Sequence, residues 1–175
     1  VGAQVRYFVR CPARGDQILA CLLFTSAAWK MAPRDQWIGW DLAARQANLT
    51  RVVNQARFLI LPWVRVRCLA SRLLAEAARL VPTHWQAQYR VQPLLLETLV
   101  EVQRFAGTCY RAANWIPIGL TQGRGRMDQH MEKVGAAPKR IFLFPLCANA
   151  RQQLCQPPKS KSKNKLHGGL GHVAP

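Results

Sequence analysis

The run Phe58-Leu-Ile-Leu-Pro-Trp-Val64, continued by Arg65-Val-Arg-Cys-Leu-Ala70-Ser-Arg-Leu-Leu74, decides the architecture of this 175-residue chain. An apolar run closed by Pro62 reads as a buried strand, because proline lacks the amide donor a ladder needs. Leu69, Leu73, Ala77 and Leu80 then recur at helical spacing, with Arg72, Glu76 and Arg79 on another face. A helix is therefore expected from the turn to about Leu80, ended by Pro82. A strand that feeds a turn that opens a helix gathers unpaired N–H groups and the positive end of a helix dipole in one place. Such a turn suits phosphate or pyrophosphate. Arg65 and Arg67 add fixed positive charge beside it, the alternative being a solvated basic turn.

Working outward, residues 4–10 and 18–29 read as two strands joined by the Pro12-Ala-Arg-Gly-Asp16 turn, an antiparallel hairpin. Residues 30–49 are irregular, with a short helix expected over 41–48. Downstream come a strand at 93–100, a helix at 105–115 flawed by Gly107, a strand at 116–120 and a last strand at 141–146. Between the last two lies the basic glycine-rich loop Gln122-Gly-Arg-Gly-Arg126. The hydrophobic pattern stops near Ala148. One domain is thus expected over 1–148, followed by a basic Pro/Lys/Gly-rich tail over 149–175 without fixed structure. That tail reads either as a nucleic-acid-binding arm or as a terminus without function.

Half the residues are apolar, which supports a real core, but 25 Lys+Arg stand against 8 Asp+Glu, a net charge of +17. Such a bias points to a polyanionic partner, nucleic acid before an anionic membrane; coding bias towards arginine is the plain alternative. Six scattered cysteines (Cys11, Cys21, Cys68, Cys109, Cys147, Cys155) have no zinc-finger spacing and read as free thiols of a reducing, cytoplasmic setting. No run of about 18 apolar residues offers a membrane span. No metal site is expected, since His84 and His130 are isolated and Asp35 and Asp128 have no ligating company.

Few polar groups carry chemistry. Gly123, Arg124, Gly125 and Arg126 combine mobile backbone with two guanidinium groups, suited to phosphate contact without base reading, or form a plain surface loop. Glu97 sits in an apolar strand, where an unpaired carboxylate is costly; it reaches a cleft or pairs with an arginine such as Arg111. Asn114-Trp115 reads as a base-stacking platform or as core.

The central unit resembles the GNAT acetyltransferase core, in which an Arg/Gln-x-x-Gly-x-Gly/Ala turn wraps the pyrophosphate of acetyl-CoA. Arg65 and Ala70 match that pattern, Arg67 lies within it, and Cys68 stands in place of the first glycine, where a bare backbone approaches the phosphates. The resemblance implies a mixed, mostly antiparallel α/β sheet flanked by helices, with the family's first strand and first two helices absent from a chain that begins inside the domain. It also implies Tyr110 as general acid to the leaving thiolate; the residues alone equally allow a core aromatic.

A second resemblance covers residues 4–148. It rests on Ile38-Gly-Trp40, Asn54-Gln-Ala-Arg-Phe-Leu-Ile-Leu-Pro-Trp-Val-Arg-Val66, Leu69-Ala-Ser-Arg-Leu-Leu74, Pro93-Leu-Leu-Leu-Glu-Thr98, Phe105-Ala-Gly-Thr-Cys-Tyr-Arg-Ala-Ala-Asn-Trp115, Gly119, Thr121-Gln-Gly-Arg-Gly-Arg126 and Lys139-Arg-Ile-Phe-Leu-Phe-Pro-Leu146. These segments resemble the DruA family of the Druantia anti-phage system, whose related domains occur beside transposases and other mobile elements. Three functions are therefore expected in competition: a nucleic-acid-binding accessory of defence or a mobile element, an acyl-CoA-dependent acyltransferase, and an inactive remnant. The first needs no cofactor and the second needs acetyl-CoA.

Overall fold

A computed structural model describes residues 2–121 and 137–156. The chain opens with the expected hairpin, β1 (Gln4–Cys11) and β2 (Gln17–Ser26). At its tip Gly15 and Asp16 both take positive φ, and Arg10 closes the turn on the Asp16 carboxylate at 3.0 Å. Two short helices follow, α1 (Ala32–Ile38) and α2 (Leu42–Asn48), the second capped by Asp41, which accepts from the Ala44 amide at 2.7 Å. Then come β3 (Val52–Ile60), α3 (Leu69–Tyr89), β4 (Leu95–Glu101), α4 (Thr108–Ala112), β5 (Ile116–Leu120), β6 (Lys139–Pro145) and α5 (Ala150–Cys155).

The strands form one six-stranded sheet in the order β1-β2-β3-β4-β6-β5, antiparallel throughout except for the β3/β4 pair. A parallel pair needs a crossover, and the strand–turn–helix unit supplies it. Side chains alternate faces along a strand, so neighbours such as Val52 and Val53, Leu95 and Leu96, and Ile141 and Phe142 serve opposite cores. Both faces are covered over residues 95–98 of β4 and 141–143 of β6, whereas β3 is buried only at Val52, Val53 and Gln55, its Arg57 and Leu59 being exposed. One face packs on α3 and α4 through Leu74, Ala77, Val81, Trp85 and Tyr110. The other packs on α1, α2 and α5 through Ile38, Trp40, Ala44 and Leu154.

Four boundaries differ from the sequence expectation. β3 stops at Ile60, so the run on to Val64 is not a buried strand, and Trp63 is 57% exposed. Helix α3 runs through Pro82 to Tyr89. Proline costs a helix interior about 3 kcal/mol, but Trp85 is buried beyond it. Tyr89 also stacks on Trp85 and donates its hydroxyl to the Gln4 carbonyl at 2.8 Å. The expected helix over 105–115 shrinks to α4, because Gly107 takes φ 71° at its N-cap and so starts the helix there. Past the expected domain end at 148, α5 buries Ala150 and Leu154, and Asn48 donates to the carbonyls of Leu154 and Gln156 at 3.1 and 2.6 Å. The packed unit therefore reaches Gln156. Residues 157–175 lie outside the described residues, as does the loop 122–136 with Gly123, Arg124, Gly125, Arg126, Asp128 and His130. Among the described helices none is long and apolar enough to cross a membrane.

Candidate ligand cleft and its basic rim

β3 and β4 pair only from Val52↔Leu95 to Gln55↔Thr98. At that point β3 carries a bulge: Phe24 of β2 faces Gln55, Leu23 faces Arg57, and Ala56 is the extra residue. A bulge bends its strand and raises the local twist, so β3 stays with β2 and leaves β4. The gap is a cleft of about 750 Å³, within the range of small-ligand sites. Arg57, Phe58 and Ile60 line one wall, Leu99 and Glu101 the other, and Tyr110 belongs to the lining.

Tyr110 is 7% exposed. Its ring stacks on Phe142 at 5.3 Å and meets Trp115 edge-on, and its hydroxyl donates to Gln55 Oε1 at 2.6 Å. Burial pushes its phenol up to about 12, so the hydroxyl keeps its proton at neutral pH. Burial likewise raises the neighbouring Cys109 thiol. The two expectations for Tyr110 thus meet in one residue: it is a core aromatic, and it also lines the cleft.

Glu97 is on the opposite face of the sheet from Tyr110. It is fully buried and paired with an equally buried Arg34 of α1, Nη1 lying 3.1 Å from Oε2. The expected partner, Arg111, is exposed on α4. Arg34 also donates to Asp35 Oδ1 from Nη2 at 2.8 Å and to the Ala28 carbonyl at 2.9 Å. Asp35 in turn accepts from the Trp40 indole and from Arg45. Burial raises the Glu97 carboxyl above its ordinary value, and Arg34 pulls it back down. Glu97 is a structural ion and does not line the cleft; the partner was illegible because Arg34 lies 63 residues away.

The turn after β3 leaves Arg65, Arg67 and Cys68 exposed, with Ala70 half-buried in the first turn of α3. Cys68 takes φ 58°, ψ 11°, the left-handed conformation that glycine favours. The backbone therefore takes a glycine-like conformation there while carrying a Cβ and a sulfur. For an L-residue that conformation costs about 1–2 kcal/mol. Cys68→Gly is expected to stabilise the fold by about 0.5–1 kcal/mol after the entropy of glycine is set against it; a urea midpoint that stays put or falls would contradict this.

Positive charge collects around the cleft. Arg57, Arg104 and Lys139 line it, and Arg65 and Arg67 follow β3 at the same end of the sheet. The Arg14 hairpin tip lies at that end too, since the Leu61 amide donates to the Leu19 carbonyl at 2.9 Å. Most described carboxylates are engaged elsewhere: Glu97 and Asp35 with Arg34, Asp41 at its cap, Glu76 with Arg79, and Asp16 with Arg10. Only Glu101 remains beside the cleft, and among the described residues none of Arg57, Arg65, Arg67, Arg104 or Lys139 has an ion-pair partner. The platform expected at Asn114-Trp115 is absent, because Trp115 is 3% exposed and packs on Tyr110. Sequence reasoning missed Arg57, Arg104, Phe105 and Lys139. Their one signal was the placement of a cation just before or after an apolar strand.

A strand pair that splays ahead of a basic strand–turn–helix unit, inside a mostly antiparallel sheet, defines the GNAT-like acetyltransferase fold. The Vibrio cholerae spermidine N-acetyltransferase solved with CoA and spermine shares it at a TM-score of 0.52 and 10% identity, over 88% of this chain and 69% of that one. A chimera of the Vibrio cholerae enzyme SpeG with hSSAT gives 0.54 and 12% over 82% and 66%. The chain itself belongs to the DruA family: the family described as Druantia protein DruA matches residues 1–136. No curated protein sequence matches it.

Proposed function

We propose that this chain is a nucleic-acid-binding member of an anti-phage defence system, holding its ligand across the basic end of the sheet. The observation that carries the reading is the set of cations around the cleft that lack carboxylate partners among the described residues, in a chain of net charge +17. Unpaired guanidinium groups around a concave, low-dielectric site focus a positive field and draw in a polyanion. Membership of the DruA family supplies the defence setting, and its neighbours beside transposases keep a mobile element as the second setting. DNA is the expected form ahead of RNA. Binding of a labelled oligonucleotide by anisotropy is expected to weaken linearly in log–log salt, and Arg57→Ala/Arg104→Ala to flatten that slope by about 1.4–1.8. An unchanged slope in a folded variant would remove the cleft from the binding surface.

The β3/β4 splay favours a second reading, acyl-CoA-dependent acyl transfer. The cleft fits a pantetheine-like chain in size, and Arg65, Arg67 and the amides opening α3 would hold its pyrophosphate. The Tyr110 phenol keeps a proton it can give to a leaving thiolate. Cys68 fits least, since its side chain occupies the turn. A polycationic acceptor such as spermidine would be repelled by the same arginines. Calorimetry with acetyl-CoA separates the readings; absence of heat at millimolar ligand removes this one.

A further inference from the structure

We infer that the cleft receives a single unpaired strand of nucleic acid, with a base stacked on Phe105. This rests on the nucleic-acid reading above and adds the form of the ligand. Phe105 is 57% exposed at the cleft, on the loop that follows β4. Its amide donates to the Glu101 carbonyl at 3.0 Å, which pins the loop, and the Arg104 guanidinium lies 5.3 Å from its ring centroid. At the same end of the sheet the chain leaving β3 presents a second ring, Trp63, also 57% exposed and two residues before Arg65 in sequence.

Two exposed aromatic rings thus stand among arginines at this end of the sheet, Phe105 at the cleft itself, the pairing that holds one strand by stacked bases and neutralised phosphates. In a duplex the base faces are already stacked and hidden. Proteins that read a duplex put a protruding helix or β-ribbon into a groove, whereas Phe105, Arg57, Arg104 and Lys139 line a hollow. Duplex DNA would meet the arginines at the rim and leave both rings idle.

The test is anisotropy with the full chain, comparing labelled oligothymidine with a hairpin duplex of equal phosphate number, on wild type, Phe105→Ala and Trp63→Ala. Both positions are exposed, and the thermal midpoint checks that the fold holds. The single strand is expected to bind at least about ten-fold tighter than the duplex. Each truncation is expected to weaken it by about 5- to 150-fold, leaving the salt slope and duplex affinity unchanged. Equal affinity for both forms, or truncations that leave single-strand binding within about two-fold, would overturn the inference while the cationic reading stands. Binding of neither form would overturn both.

Discussion

Replacing Arg34 by leucine is expected to lower the unfolding free energy by about 3–5 kcal/mol at neutral pH. Arg34 and Glu97 are both fully buried, with two Nη1 contacts to the carboxylate at 3.1 and 3.3 Å. Removing the cation leaves a carboxylate in apolar surroundings between α1 and β4. The loss should depend on pH, and its sign follows from Glu97. Burial raises its native value above the ordinary carboxyl value, so the folded state holds the proton more tightly than the unfolded chain. Its contribution is complete below the ordinary carboxyl value and is lost as pH rises through the native one. Without Arg34 the native value climbs further. The deficit of Arg34→Leu should therefore shrink as pH falls into the carboxyl range and be full in neutral and alkaline solution. Urea unfolding at acid and neutral pH measures this, and Arg34→Leu/Glu97→Leu should recover most of the loss. A single variant within about 1 kcal/mol of wild type at neutral pH would mean that the pair is not desolvated as the structure has it.

Gly107→Ala is expected to cost about 2–5 kcal/mol, the sum of left-handed strain and overpacking. Gly107 takes φ 71°, and a Cβ there would lie 2.6 Å from Phe142 Cζ and 2.8 Å from Cε2. The ring cannot give way, because Phe142 is fully buried and stacked on Tyr110. Gly39 is the control: it takes φ 81°, but a Cβ would meet nothing within 4 Å. Gly39→Ala should show strain alone, about 1–2 kcal/mol. Denaturant midpoints of the two variants separate the clash from the strain, and equal losses would dismiss the clash. Because Gly107 caps α4 and borders the Phe105 loop, its substitution should also disturb the cleft.

Much of the fold was legible because it is local. The hairpin, the strand ending near Pro62, the helix after the turn and the last strands all show in short-range periodicity. Helix α3 was cut short because one proline was given more weight than Trp85 and Tyr89, which continue the apolar face beyond it. Helix α5 was missed because six residues with two buried side chains leave little pattern. The site was harder. The family pattern marked Cys68 only as the place of a glycine that lets the backbone near the phosphates, not its left-handed conformation, and the bulge at Ala56 leaves no residue signature. Arg34–Glu97 and Tyr110–Gln55 are pairs 63 and 55 residues apart, which no local rule can join. Exposed Phe105 and buried Trp115 look alike on paper, and only packing tells them apart.

The bulge has one more consequence. A sheet ordinarily has two open edges, here β1 and β5. Where β3 leaves β4 after Gln55 and Thr98, two more open in its middle, and β3 and β4 each keep a partner on one side only. Alternate peptide groups along residues 56–60 and 99–101 then point into the gap, and among the described residues no strand receives them. This interior carries its own row of donors and acceptors, so an extended guest can be held by backbone as well as by side chains.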